Sequence, residues 1–337
     1  MNHIREAFKV WPPKAPYTEY PSGVIINTDV VRDFESGIRN IKDGVVQLIA
    51  QDPPYYNTER FWDTEVILTA QWMRTEYWRV VDPPGVIALF GNEGYLLDMI
   101  MRISGFKASG AADMMREIRW LYSLLETKLI TNGLTPSELT RYNKLKGELS
   151  LEMERTFRYL LVWDKCGSIA QQQHSKNRPV AECEYIGVFS RGTANHKSVA
   201  KLRMRYYLAG AKSKGVHAQN GKISKIMRER PGDVGKLTEE FTNVPGTVLR
   251  YPLDNATERP YHGLNSNKKP IKLMQRVISL YTLKGDLVLD PTAGSGSTPY
   301  AAMLSGRYFI AYEMDPEQYK DIKKLIEAPQ MRKFGHG

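Results

Sequence analysis

Residues 287–298 read LVLDPTAGSGST. A short apolar run ends in Asp290, a glycine-containing loop follows, and a helix-period stretch starts near Thr298. In this strand–loop–helix context glycines let the backbone approach a nucleoside ligand closely. The loop lacks the G-x-x-x-x-G-K of a P-loop, and Pro299 stands where a dinucleotide fingerprint has its third glycine. The next apolar run leads into Glu313, 23 residues after Asp290. A carboxylate at that strand end can accept both hydrogen bonds of a ribose diol. The loop offers no lysine to hold phosphates, so the pair points to a nucleoside cofactor not anchored through phosphate. G-x-G alone is a weak signal; the acid at the next strand end strengthens it.

Working outward, β-branched apolar runs predict strands at Val45–Gln51, Val86–Gly91, Tyr159–Trp163, Tyr185–Ser190, Leu287–Asp290 and Tyr308–Tyr312. Helix-period stretches lie between several of them, at Thr64–Val80, Glu93–Ser104, Lys269–Leu283, Thr298–Ser305 and Pro316–Glu327. The alternation predicts an α/β fold with a mostly parallel, doubly wound sheet. Ligands in such sheets bind at the carboxyl ends of strands, near the switch point of the strand order. Residues 108–158 interrupt the pattern and read as a helical hairpin. Its turn is TNGL, and Thr135-Pro136-Ser137-Glu138 opens the second helix as a capping box. Leu145, Leu149, Met153 and Phe157 give that helix one apolar stripe, for which packing on the chain itself and contact with a second copy both stay open. The first 23 residues have no apolar signal core and read as an irregular arm.

Asp-Pro-Pro occurs twice, at 52–54 and 82–84. The tripeptide is ordinary punctuation beside a strand. The first copy follows its strand, at the end where ligands bind, and continues into Tyr55. There Asp52 can accept a hydrogen bond from an exocyclic amino group, the Pro53 carbonyl is a second acceptor, and Tyr55 offers a face for a stacked base. The second copy precedes its strand, runs into Gly85 and has no aromatic; it reads as a turn.

The chain has 337 residues and a formal charge of +10. Between Gly192 and Arg250, twelve basic residues face four acids, so this stretch alone carries 12 − 4 = +8. A phosphate-tracking surface fits that concentration better than a merely solvated one. The phosphate-contact candidates are Lys197, Lys201, Arg203, Arg205, Lys212, Lys214, Lys222, Lys225, Arg228 and Arg230. No run of 18 apolar residues exists to span a membrane. Cys166 and Cys183 have no partner at metal spacing, so no metal is expected, and two free thiols fit a reducing, cytoplasmic setting.

With those motifs the sequence resembles the S-adenosylmethionine-dependent DNA amino-methyltransferases, the N6-adenine/N4-cytosine type, in the permuted order that puts Asp-Pro-Pro-Tyr before the cofactor motif. The likeness includes Ile25–Asp29, Gly44–Tyr55, Tyr159–Lys165, Arg178-Pro-Val, Glu184–Ser190, His262 and Lys269-Pro270. It departs from the family at Thr28 (usually Gly), Thr292 (usually Phe) and Ser297 (usually Thr). The resemblance implies a Rossmann-like methyltransferase with a catalytic half at 1–107, the hairpin at 108–158, remaining catalytic strands at 159–191, a target-recognition region at 192–255 and a cofactor half at 256–337. It implies Asp52, Pro53, Pro54 and Tyr55 as the catalytic motif. It implies S-adenosylmethionine held by Asp29, Asp290, Pro291, Thr292, Ala293, Gly294, Ser295, Gly296, Ser297, Thr298 and Glu313, with His262, Lys269 and Pro270 closing over it. Double-stranded DNA is the implied substrate, its target base flipped out of the stack. Asp at the head of the motif points to adenine N6 rather than cytosine N4. RNA adenine methylation, a catalytically inactive DNA-binding relative and, in another class, a nicotinamide-dependent dehydrogenase remain as alternatives. A homodimer through the hairpin and a cognate restriction endonuclease are partners the sequence leaves open.

Overall fold

The computed structural model describes residues 2–33, 35–54, 70–103, 156–167, 182–194, 200, 203–218, 237–253 and 268–328. The strands are β1 (Tyr17–Tyr20), β2 (Gly23–Asn27), β3 (Val46–Gln51), β4 (Val81–Gly91), β5 (Phe157–Asp164), β6 (Cys183–Phe189), β7 (Lys212–Ala218), β8 (Leu237–Thr242), β9 (Val248–Arg250), β10 (Leu287–Asp290) and β11 (Tyr308–Glu313). Nine of them form one sheet in the order β1-β2-β11-β10-β3-β4-β6-β5-β9, while β7 and β8 pair separately. Five of the eight neighbour pairs in the large sheet are parallel. The antiparallel ones are β1–β2, β4–β6 and β5–β6. The mostly parallel α/β sheet expected from the alternation, Rossmann-like as the resemblance implies, is therefore present.

The two faces follow from the period-2 alternation of the central strands. Val86, Ala88 and Phe90 join one buried cluster, packed under helices Ile271–Tyr281, Ser297–Leu304 and Pro316–Glu327. Ile87 and Leu89 join the other, under helices Ala70–Val80 and Glu93–Ile103. Burying both faces of a strand requires the continuous apolar runs seen in its sequence.

Several boundaries differ from the sequence reading. The N-terminal arm is ordered: Asn2–Glu6 is helical, Ile4 and Phe8 are buried, and β1–β2 is a hairpin that extends the sheet against β11. The β2 strand in this Pro-flanked segment finds its long-range partner only in β11. The second Asp-Pro-Pro is no separate turn, since β4 starts at Val81 and takes it in, with a register shift opposite Val46 and Leu48. Phe157 begins β5 and so leaves the stripe assigned to the hairpin; the rest of that hairpin, 108–155, lies outside the described residues. No described helix is long and apolar enough to cross a membrane.

Candidate active site

β3 and β10 lie side by side and parallel, with Leu48 opposite Val288 and Ile49 opposite Leu289. From this pair the chain proceeds in opposite directions across the sheet, β3 to its neighbour β4 and β10 to its neighbour β11. That is a topological switch point, where the loops leaving two carboxyl ends part and open a crevice. The sequence alone placed Asp52 after one strand and the 290–298 loop after another. The structure makes those strands neighbours.

The glycine loop is shaped from below by buried acids. Asp290 Oδ1 accepts the Thr292 N–H at 3.1 Å, and the Ala293 N–H donates to the Tyr312 carbonyl at 2.8 Å. Glu313 accepts the Gly294 N–H on Oε2 at 2.7 Å and the Asp315 N–H on Oε1 at 2.9 Å. Gly294 and Gly296 have φ of +51° and +76°, which an L side chain adopts only under strain. A Cβ on Gly296 would also press on Ile322 at 3.0 Å. Pro291, Ala293, Ser297 and Thr298 are buried, and the Ser295 and Ser297 hydroxyls bond each other at 2.9 Å. Burial raises both acids to about 7, opposed at Asp290 by the Thr298 hydroxyl and the Thr292 N–H and at Glu313 by its N–H donors. Asp290 thus acts on the loop's conformation from beneath it. Glu313 ends β11 beside the end of β2, where Asn27 Nδ2 donates to its carbonyl at 2.8 Å. Asp29 follows there, its Oδ1 taking the N–H groups of Val31 and Arg32 at 2.9 and 3.0 Å.

A buried polar tie joins the two loops. Tyr77 Oη donates to Gln51 Oε1 at 2.6 Å, and Gln51 Nε2 donates to Thr292 Oγ1 at 3.1 Å. Thr292 Oγ1 in turn lies 3.5 Å from the Asp52 carbonyl. Tyr77 and Gln51 are fully buried, where polar groups must find partners within the protein. Thr292, a departure from the family's Phe and an expected cofactor-loop residue, here supplies the hydroxyl that makes this connection.

Asp52 itself does not stand alone. Lys269 Nζ is 2.7 Å from Asp52 Oδ2 and 3.2 Å from Glu184 Oε2, and Lys165 Nζ is 2.8 Å from Glu184 Oε1. Lys269 was grouped with residues closing over a cofactor. Its ammonium lies on Asp52, one residue before the Pro270 N-cap of helix Ile271–Tyr281. Glu184 and Lys165 were read only as part of a strand pattern, not as site residues. Glu184 is held below the usual carboxylate range: burial pushes it up, but Lys269 and Lys165 overcome that. Pro53 is buried and Pro54 half-buried. Tyr55, His262 and Arg178 lie outside the described residues.

Of the basic candidates, Arg205 is paired within the protein. Its guanidinium grips Asp82 of the second Asp-Pro-Pro, with Nε at 3.1 Å and Nη2 at 2.5 Å from Oδ2, and Nη1 lies 3.5 Å from Asp286. This half-buried side chain is thus engaged by two carboxylates of the protein itself. Arg203 and Lys212 are exposed, Lys212 opening the β7–β8 ribbon. Lys214 lies on β7, with only its backbone described. Lys197, Lys201, Lys222, Lys225, Arg228 and Arg230 lie outside the described residues.

Comparison with known proteins gives the family. A family model described as DNA methylase, of N6/N4 type, matches residues 46–324. The type II methyltransferase M.MthZI of Methanothermobacter thermautotrophicus is 45% identical over 92 residues, 27% of this chain and 23% of that protein. The DNA adenine methyltransferase YhdJ of Escherichia coli (strain K12) is 39% identical over 101 residues, 27% of this chain and 32% of that protein. Each match thus spans a third or less of the relative's own length. Among solved structures, the cytosine-N4-specific PvuII DNA methyltransferase aligns over 92% of this chain and 88% of that one, with TM-score 0.49 and 12% identity.

Proposed function

The chain belongs to the DNA methylase family, and we propose that it transfers a methyl group from S-adenosylmethionine to the N6 amino group of adenine in double-stranded DNA. The observation that carries this is the meeting of Asp52 with the 290–298 loop at the switch point, tied by Gln51 and Thr292. A glycine loop of positive φ beside a buried carboxylate at the next strand end suits a nucleoside with a free ribose diol. Asp29, Asp290–Thr298 and Glu313 would hold it, Glu313 at the ribose. When bound, the cofactor supplies a methyl group already activated by positively charged sulfur, so orientation and electrostatics are what the protein contributes.

Asp52 and the Pro53 carbonyl accept the hydrogen bonds of the target amino group. This pulls the nitrogen's lone pair out of conjugation with the ring and aims it along the crevice toward the glycine loop. A base inside the duplex cannot present that group, so the base is rotated out of the stack, with Tyr55 as the stacking face. The exposed basic residues Arg203 and Lys212, with Lys197, Lys201, Lys214, Lys222, Lys225, Arg228 and Arg230, set the register on phosphates. Arg205 leaves that set. Binding to DNA therefore weakens steeply with salt.

Expression in a bacterium free of DNA methylation, followed by sequencing for modified bases, tests the reading. N6-methyladenine in one fixed sequence context supports it. N4-methylcytosine would move the target to the other base of the same family, and no modification with tight DNA binding would favour an inactive binder.

A further inference from the structure

Four charged side chains from distant parts of the chain form one line of contacts behind the proposed target pocket. Lys165 follows β5, Glu184 is the second residue of β6, Lys269 precedes helix Ile271–Tyr281, and Asp52 follows β3. The β5–β6 register sets Trp163 opposite Glu184, and the Lys165 N–H donates to the Glu182 carbonyl at 3.0 Å, so the strand pairing itself fixes Lys165 beside Glu184. The ammonium of Lys269 lies 5.7 Å from the ring centre of Phe90 and 5.9 Å from that of Trp163. Lys165 lies 5.5 Å from the Trp163 ring. Along the line the side chains are 11% exposed at Lys165, 25% at Glu184, 9% at Lys269 and 30% at Asp52, so Asp52 is the most open to a ligand.

The charges explain why the acid behind is needed. A buried ammonium paired only with Asp52 would neutralise the carboxylate that the target amino group must use. Glu184 shares that positive charge, and Lys165 balances Glu184 in turn, leaving two cations against two anions. Burial works against charge on Lys269, but Asp52 and Glu184 outweigh it and hold the ammonium above its ordinary range. Lys269 can then orient Asp52 through Oδ2 without cancelling it. Groups one contact removed from a reacting centre commonly fix its geometry in this way.

We propose that Glu184 is a positioning residue for methyl transfer, acting through Lys269 to fix the Asp52 carboxylate for the target amino group. The proposal rests on the methyltransferase reading above. Its rival is an ion-pair network that merely stabilises the β5–β6 pairing.

Single-turnover methyl transfer is measured with saturating S-adenosylmethionine and DNA for the wild type, Glu184→Gln, Glu184→Asp, Lys269→Met and the Glu184→Gln/Lys269→Met double variant. Glu184→Gln is expected to slow transfer by about 10-fold or more while leaving cofactor affinity within about twofold. Glu184→Asp recovers part of the rate. The double variant is no slower than Lys269→Met alone, because Glu184 acts only through that lysine. An unchanged rate in Glu184→Gln, or losses that multiply in the double variant, overturns the proposal. A second readout needs no turnover: the Lys269 ammonium, followed by NMR titration in the cofactor-free protein, should lose its proton at lower pH in Glu184→Gln. No change there also overturns it. A wild type that transfers no methyl while this coupling holds would sink the methyltransferase reading and leave the Glu184–Lys269 contact standing.

Discussion

Asp52-Pro-Pro and Asp82-Pro-Pro share three residues and almost nothing else. Asp52 stands after β3 at the crevice, with its side chain 30% exposed and one oxygen on Lys269. Asp82 lies within the opening residues of β4, 12% exposed, and is gripped by Arg205. Both are paired with a cation, so an ion pair does not separate them. What separates them is the strand end and access: one carboxylate can still be reached by a ligand, whereas the other locks the first part of the basic segment onto the sheet. Glu313 and Asp290 make a third case, since they are buried on N–H groups and have no ion pair to a cation among the described residues.

The largest effect should come from the first copy. Asp52→Ala is expected to lower the methyl-transfer rate by at least about 100-fold with little change in cofactor binding, measured by single-turnover kinetics and calorimetry. Asp82→Ala should do the reverse. It strands a half-buried guanidinium and costs about 1.5–3 kcal/mol of stability in urea unfolding, while the rate per folded molecule holds. If Asp82→Ala abolished transfer without destabilising the protein, the distinction between the copies would collapse.

A smaller effect is a pH dependence in the third case. Glu313 and Asp290 are raised from ordinary values of 4.5 and 3.8 to about 7. Their protonated forms are favoured by folding, so that stability is present below the ordinary values and is lost as pH rises through about 7. Melting temperature of the cofactor-free protein should fall between pH 5.5 and 8, and Glu313→Gln should flatten the fall. Cofactor affinity should move the other way over the same range, because a ribose diol donates best to an ionised carboxylate. The smallest effect is expected from Thr292→Val, which removes the hydroxyl between Gln51 and Asp52. It should cost about 1 kcal/mol and slow transfer a few-fold, by loosening the two loops relative to each other.

Much of this comparison was legible in sequence for a physical reason. β3, β10 and β11 are buried on both faces and so read as unbroken apolar runs, and their ends point directly to Asp52, the glycine loop and Glu313. The features that escaped depend on pairing across the chain. Arg205 looks like one cation in a basic run until β4 brings Asp82 to it from 123 positions away. Glu184 and Lys165 look like charges flanking strands until the β5–β6 register and Lys269 bring them behind Asp52. β1 and β2 are short and partly polar, and only their pairing with each other and with β11 makes them strands.

The most direct test of the account uses purified protein, labelled S-adenosylmethionine and unmethylated duplex DNA, with the modified nucleoside identified after digestion. The wild type and Asp82→Ala should both yield N6-methyladenine, and Asp52→Ala should yield none above background. Equal product from Asp52→Ala and wild type would contradict the claim that the carboxylate after β3 is the one that handles the target amino group.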